Sequence, residues 1–348
     1  MNEIKFTMAA RCEAAGRHYN EDNFQLTDNL ANDQWEFMTG KEVTLGEKGA
    51  LLVVCDGMGG MNAGEIASEL AVKTIKEQFA SANITPQVMA SHITIMQYIE
   101  QAIVACDSVI KVTGRQHKEF EGMGSTIVLV WIVNHHLYVG WCGDSRAYRF
   151  NPATGLEQLS HDHSYVQDLV DSGKLSKELA FDHPNSNIIT RSLGDCRQPA
   201  QPDVKYFPLN NCDIILLCSD GLSGVLRDVE IESILSNNAD SMENCRDTLW
   251  TESEENGWTD NVTIALCRII SGAEKKESKV SEMLPEENPQ EIACTMKVNK
   301  RKPKAFLFIF IVLLLSGIAF EIWYFYTHGT WWIPDFNQLR NILNSYLE

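Results

Sequence analysis

The sequence predicts an α+β domain followed by a single membrane-spanning helix. Three observations carry that expectation. Short apolar runs of strand character alternate with helix-periodic stretches over residues 1–270. Composition then turns charged and proline-containing, as in a linker. Last comes an apolar run long enough to cross a bilayer. With 348 residues, 44% of them hydrophobic, the chain can bury one large core or two small ones.

The elements follow in order. "LLVVCDGMGG" (51–60) is a buried apolar strand that stops at Asp56 and runs into a glycine-rich turn. In "AGEIASELAVKTIKEQFA" that follows, Ala67, Ala71, Ile75 and Phe79 recur at intervals of four, which fits one face of an amphipathic helix. A second helix is expected within residues 88–112. "TIVLVWIV" (126–133) and "LYVGWCGDSRAYRF" (137–150), separated by "NHH", read as a hairpin. "DIILLCSDG" (213–221) and "NVTIALCRII" (261–270) are two further buried strands, and Trp131 and Trp141 belong to core or sheet surface. No internal repeat is present.

The formal net charge is −18 and the sequence pI about 4.9. No basic stripe of the kind a duplex binder needs occurs in residues 1–270, so nucleic acid is excluded as a partner. Acidity of this kind implies solubility, or the self-repulsion of a carboxylate cluster that a cation relieves. None of the ten cysteines forms a C-x-x-C pair. Several lie inside apolar runs, as expected of small buried hydrophobes in a reducing compartment. The N-terminus lacks the apolar core of a signal peptide.

Residues 273–304 form the expected flexible linker, ending in five basic residues between Lys297 and Lys304. Residues 305–326 would span about 33 Å as a helix. Apolarity on every face argues against a buried soluble helix, and the flanks carry interfacial signatures: lysines and arginine before it, Trp323, Tyr324, Tyr326, Trp331 and Trp332 at its far end. Glu321 is the one charge, close enough to that end to reach the interface. The basic end belongs in the cytoplasm. The expectation is a single-pass membrane protein with residues 1–272 inside and a short outer tail at 327–348.

Carboxylates recur at strand ends. Asp56 and Asp220 each follow an apolar run and precede glycine, Asp144 follows another run, Asp260 precedes a strand, and "RHYNEDN" brings Arg17, Glu21 and Asp22. Each alone is an ordinary turn residue. Together they form an all-oxygen donor set of the kind Mg²⁺ or Mn²⁺ prefers. Residue spacing leaves both readings open.

The ordered segments "GRHYNEDN", "VVCDGMGGMNAGEIAS", "GSTIVLVWI", "GWCGDSRAYRF", "LSHDHSYVQDLV", "NIITRSLG", "PDV", "IILLCSDGL" and "TDNVTIAL" resemble the metal-dependent serine/threonine protein phosphatases of type 2C, the PPM family, in their bacterial form. The resemblance spans residues 8–270 or so. It implies a four-layer α-β-β-α sandwich of two antiparallel sheets flanked by helices, with two or three Mn²⁺ or Mg²⁺ ions at one end. On the residues that match, Asp56 bridges two ions. Asp22 and the Gly57 carbonyl complete one shell, with Glu21 nearby through water. Asp220 and Asp260 hold the other ion, Asp144 and Asp220 share a third, and Arg17 grips the substrate phosphate. A metal-bridging hydroxide would then attack phosphoserine or phosphothreonine directly, with no protein nucleophile. Where many animal members carry histidine, this chain has Met58, which cannot donate a proton. His163 reads as structural, Ser145 and Arg146 as supports for Asp144 and its turn, and residues 165–190 as a flap beside the site. An opposing serine/threonine kinase and phosphoproteins are the implied partners. A catalytically silent membrane scaffold is the alternative, and a phosphodiesterase or nuclease a more distant one that the acidic surface disfavours.

Overall fold

Strand alternation decides the architecture, which the computed structural model describes over residues 3–59 and 63–273. The strands are β1 (Lys5–Glu13), β2 (Asp22–Thr27), β3 (Val43–Thr44), β4 (Ala50–Met58), β5 (Gly124–Ser125), β6 (Ile127–Val133), β7 (His136–Cys142), β8 (Arg146–Asn151), β9 (Gly155–Gln158), β10 (Asp203–Pro208), β11 (Ile214–Cys218) and β12 (Val262–Ser271). The helices are α1 (Ala63–Gln78), α2 (His92–Gln116), α3 (Tyr165–Asp171), α4 (Lys177–Phe181), α5 (Asp220–Ser223), α6 (Asp228–Asn237) and α7 (Met242–Glu255).

One sheet has the order β3-β1-β12-β11-β8-β9 and the other β10-β7-β6-β4-β2, with β5 added to the end of β4. Neighbouring strands pair antiparallel throughout. Helices α1 and α2 cover the second sheet, and α6 and α7 cover the first. Two antiparallel sheets with flanking helices are thus present, as the resemblance implies.

Three apolar layers hold the sandwich together, and the period of two along each strand sorts residues between them. On β4, Leu52 and Val54, with Val128 and Val130 of the adjacent β6, face the opposite sheet and share one apolar cluster with its Phe6, Met8, Ile215, Leu217, Ala265 and Cys267. Leu51, Val53 and Cys55 face the other way and pack under Ala67, Ala71, Ile75 and Phe79. A third layer lies between the first sheet and α6–α7, around Leu216, Ile264, Ile234 and Leu249. Gly140 of β7 makes room for α2: a Cβ there would stand 2.5 Å from Ile99 Cγ2. Trp131 and Trp141 are both buried, their indole N–H groups satisfied by the carbonyls of Lys48 and His161 at 2.8 and 2.7 Å.

Two sequence expectations change in detail. The hairpin loop is only two residues, Asn134 and His135, both left-handed (φ 52° and 60°), and His136 already belongs to β7. This is the tight turn whose twist suits a hairpin. The run 137–150 does not form one strand. It breaks at Gly143 (φ 123°), so that β7 stays in the second sheet while β8 crosses to the first. The crossing places Asp144 at the end of the sandwich.

The nine described cysteines are free thiols. Six are buried as expected, but Cys196 and Cys212 are exposed because they sit in loops and not in apolar strands. Helix α2 has 25 residues and a mean hydropathy of 1.2 over its most apolar window, long and apolar enough by those measures to span a bilayer. Here it packs on β7, β10 and α1. The linker, the expected span at 305–326 and the tail lie outside the described residues.

Candidate metal centre

Continuing the inward-facing positions past the apolar core changes their chemistry. On β4, Leu52 and Val54 are followed by Asp56. On β2, Leu26 and Phe24 lead back to Asp22. On β11, β12, β6 and β8 the next positions are Ser219, Thr263, Thr126 and Ser145. One end of the inter-sheet layer is therefore polar although it is closed from solvent: Ser219 and Thr263 are fully buried. Asp56 does not terminate its strand. β4 continues to Met58, with Gly57 opposite Ser125.

Asp22 and Asp56 stand directly opposite each other in the β2–β4 ladder. Like charges in that relation destabilise a sheet. The surroundings hold them there. Ser219 Oγ and Thr263 Oγ1 each donate to Asp22 Oδ2 at 2.7 Å. The Asp56 amide donates to Thr126 Oγ1 (3.0 Å), and its carbonyl accepts from the Thr126 amide (2.8 Å). Thr126 and Ser145 share a hydrogen bond of 2.7 Å.

Three more carboxylates converge on Asp56. Asp220 opens α5 directly after Ser219 and shares a hydrogen bond with Asp56. Asp144 is buried after Gly143. Asp260, 36% exposed, lies at the mouth, where the Arg17 guanidinium reaches it at 2.7 Å. Arg17 also donates from Nε to the Thr259 carbonyl, and is itself 56% exposed. Burial first, and then the charges of Asp22, Asp220, Asp144 and Asp260, push the Asp56 carboxyl well above the carboxylate range. Burial also raises Asp22 to about 7, against stabilising bonds from Thr263 and Ser219. Asp144 is held well above its ordinary value by burial and Asp220, and Asp220 is raised by burial and Asp260.

The donor set fits a hard cation. Asp22 Oδ1, Asp144 Oδ1 and Asp220 Oδ1 are buried with no hydrogen-bond partner among the described residues. Orphaned carboxylate oxygens are costly unless something positive meets them. All are oxygen donors, which suits Mg²⁺ or Mn²⁺ and not zinc or copper. Among the described residues no three acidic, histidine or cysteine side chains already close on one point. Like charges repel, so carboxylates of this number close on one point only around a cation.

Sequence reading missed the residues that hold this arrangement. Asn261 ties the loop before β2 to the start of β12: its Oδ1 accepts from the Glu21 amide (2.8 Å), and its Nδ2 donates to the carbonyls of Ala14 (2.9 Å) and Tyr19 (2.8 Å). The Glu21 carbonyl accepts from the Gly57 amide (3.1 Å) and Ser68 Oγ (2.6 Å). The two glycines after aspartate answer to packing. A Cβ on Gly57 would fall 2.1 Å from the Gly64 carbonyl oxygen, and one on Gly221 would fall 1.9 Å from that of Asn261. The signal for Ser219 and Thr263 was in the sequence, as polar residues at the inward parity of apolar strands.

Arg146 does not bond to Asp144. Its guanidinium forks onto Asp162 (2.7 Å from Nη2, 2.9 Å from Nε), on the opposite face of β8. His163 is structural: Nδ1 accepts from the Gly143 amide (3.2 Å), Nε2 faces Asp203 (3.1 Å), and burial lowers its pKa. Residues 165–190 contain α3 and α4. They are tied to the N-terminus of α6 by Lys177–Asp228 (2.8 Å) and Arg227–Asp182 (2.7 Å).

Comparison with known proteins places this geometry. The family described as protein phosphatase 2C matches residues 27–267. A serine/threonine phosphatase, stp, of Listeria welshimeri is 32% identical over 250 residues, covering 72% of this chain and 90% of the relative. Among solved structures, the serine/threonine phosphatase Stp1 of Staphylococcus aureus superposes with a TM-score of 0.63 at 30% identity, covering 76% of this chain and 95% of that one. The catalytic domain of the serine threonine protein phosphatase PstP, in complex with two manganese ions, gives 0.61 at 26% identity, covering 77% and 100%.

A stability signature follows from the raised carboxyls. A group lifted from 3.8 to about 7 by folding, as Asp22 is, contributes stability in full below the unfolded value and loses it as pH rises through 7. The metal-free protein should melt at a higher temperature at pH 5 than at pH 8. Asp56→Asn should raise the pH 8 melting temperature of the metal-free form, because it removes a like charge. Thermal unfolding in chelator checks both.

Proposed function

The chain belongs to the protein phosphatase 2C family, and on that footing we propose that its carboxylate cluster is the metal centre of a serine/threonine protein phosphatase. The observation that carries this is the convergence of Asp22, Asp144, Asp220 and Asp260 on Asp56, with buried oxygens left unpartnered. The enzyme hydrolyses phosphoserine and phosphothreonine in proteins and uses Mn²⁺ or Mg²⁺. Asp56, Asp22 and the Gly57 carbonyl would hold one ion, with Glu21 beside it; Asp56, Asp220 and Asp260 would hold the second, and Asp144 with Asp220 a third. When bound, such ions supply a water-derived nucleophile at neutral pH and offset charge on the phosphoryl oxygens.

The chain's own groups do the rest. Ser219 and Thr263 occupy Asp22 Oδ2 and so orient Oδ1 toward the cluster. Arg17 stands exposed at the mouth on Asp260. Its planar fork suits two oxygens of a phosphate dianion, and it would turn to them once Asp260 held a cation. Two side chains near the site do not protonate the leaving oxygen. Met58 has no proton to give, and His163 is buried with both ring nitrogens engaged.

The sequence supports a membrane tether. An apolar segment at 305–326 between basic and aromatic flanks would anchor the phosphatase domain at the cytoplasmic face of a bacterial inner membrane, with residues 327–348 outside. Tethering raises effective concentration toward membrane-bound phosphoproteins, and a membrane-anchored serine/threonine kinase would be the opposing partner.

Hydrolysis of a phosphothreonine peptide with Mn²⁺ should fall by on the order of a hundredfold or more in Asp56→Asn; equal rates would reject the assignment. Removing residues 305–348 should move the activity from the membrane fraction to the soluble fraction. Activity that still sediments with membranes would overturn the tether.

A further inference from the structure

We propose that Asp107, in the helical layer behind the second sheet, is a positioning residue for Asp56: it fixes the loop that braces the Asp56 backbone and thereby sets the affinity of the cluster for divalent ions. The inference rests on the metal-centre reading above.

A buried carboxylate is destabilising unless it is paired and hydrogen-bonded. Asp107, whose side chain is 5% exposed, is fully engaged. Its Oδ1 accepts from the Gly194 amide at 2.8 Å. Its Oδ2 accepts from the Ala200 amide at 3.2 Å and from Lys111 Nζ at 2.7 Å. Lys111, one helical turn further on, also donates to the Gln198 carbonyl at 2.7 Å. The acid and its lysine thus fasten three points of one loop, 194–200, to α2.

That loop leads straight to Asp56. Gly194 is left-handed (φ +87°), and a Cβ on it would stand 2.5 Å from the Met123 carbonyl oxygen and 2.8 Å from Ile110 Cγ2. It is wedged between α2 and the chain entering β5. Its neighbour Leu193 exchanges two backbone hydrogen bonds with Ser125, at 2.8 and 3.1 Å. Ser125 sits opposite Gly57 in the β4–β5 ladder. Its hydroxyl lies 3.0 Å from the Asp56 carbonyl, shared with the Thr126 carbonyl at 2.7 Å. The Asp56 peptide is therefore held by residues 125 and 126, residue 125 by Leu193, and the adjoining Gly194 by Asp107. A carboxylate surrounded by like charges needs its backbone fixed from outside the cluster, because its side-chain neighbours repel it.

The test is calorimetric titration of Mn²⁺ into the full-length protein in detergent, beside thermal unfolding. Asp107→Asn keeps the side chain's shape but loses the pairing with Lys111 and one acceptor site. It should weaken Mn²⁺ binding about tenfold, in the range of outer ligand supports. Ser125→Ala should weaken it in the same direction. The double variant should bind about as the weaker single variant does, because both act through one path. Ile231→Val, in the layer behind the other sheet, should lower the melting temperature without changing Mn²⁺ affinity. Should Asp107→Asn not fold, Lys111→Met, which removes the lysine from Gln198 and Asp107 but leaves Asp107 on the Gly194 and Ala200 amides, should show a smaller loss of affinity. Wild-type Mn²⁺ affinity in Asp107→Asn or in a folded Lys111→Met, or losses that multiply in the double variant, would overturn the inference. Wild-type protein that takes up no Mn²⁺ would instead overturn the metal-centre reading itself.

Discussion

Like-charged carboxylates buried at one end of a sheet sandwich are the constraint around which this molecule is organised. Asp22 and Asp56 face each other across adjacent strands, and Asp144, Asp220 and Asp260 approach them from three other chain segments. Asp22, Asp56, Asp144 and Asp220 lie where desolvation disfavours charge. Such a cluster does not stabilise a fold. It persists because the apolar layer behind it, from Phe6 and Leu52 to Leu217 and Cys267, orders the strands that deliver it.

The support is divided between backbone and side chain. Main-chain groups around the site are satisfied: the Asp56 amide and carbonyl by Thr126, the Glu21 amide by Asn261, the Gly57 amide by Glu21. The side-chain oxygens of Asp22, Asp144 and Asp220 are not. A rigid frame with unsatisfied, charge-bearing oxygens is a site preorganised for a cation, and it holds stability in reserve for the moment of binding. The close backbone approaches at Gly57 and Gly221 belong to the same frame, bringing α1 onto β4 and α5 onto the start of β12.

Much of this was legible in the sequence. The face of α1 defined by Ala67, Ala71, Ile75 and Phe79 is buried as its spacing requires. The recurrence of acids near strand ends singled out Asp22, Asp56, Asp144, Asp220 and Asp260, which the fold brings together. What could not be read was the crossing at Gly143. A run of fourteen strand-like residues contains no signal that its halves join different sheets, since that depends on a single left-handed glycine. Nor could the supporting partners be assigned. Asn261 joins residues about 240 positions apart, and Arg146 turns to Asp162 because residues 146 and 144 are separated by the turn that begins β8. Parity alone would have exposed Ser219 and Thr263, had the apolar alternation been continued past the strand ends.

Burial and mutual repulsion raise the carboxyls of Asp22, Asp56, Asp144 and Asp220, so divalent ions entering the cluster should displace protons. Counting the protons released on Mn²⁺ binding at pH 6, by calorimetry in buffers of differing ionisation enthalpy, tests it directly. Release of one or more protons per protein is the result the account predicts. Saturable Mn²⁺ binding with no proton release would contradict it.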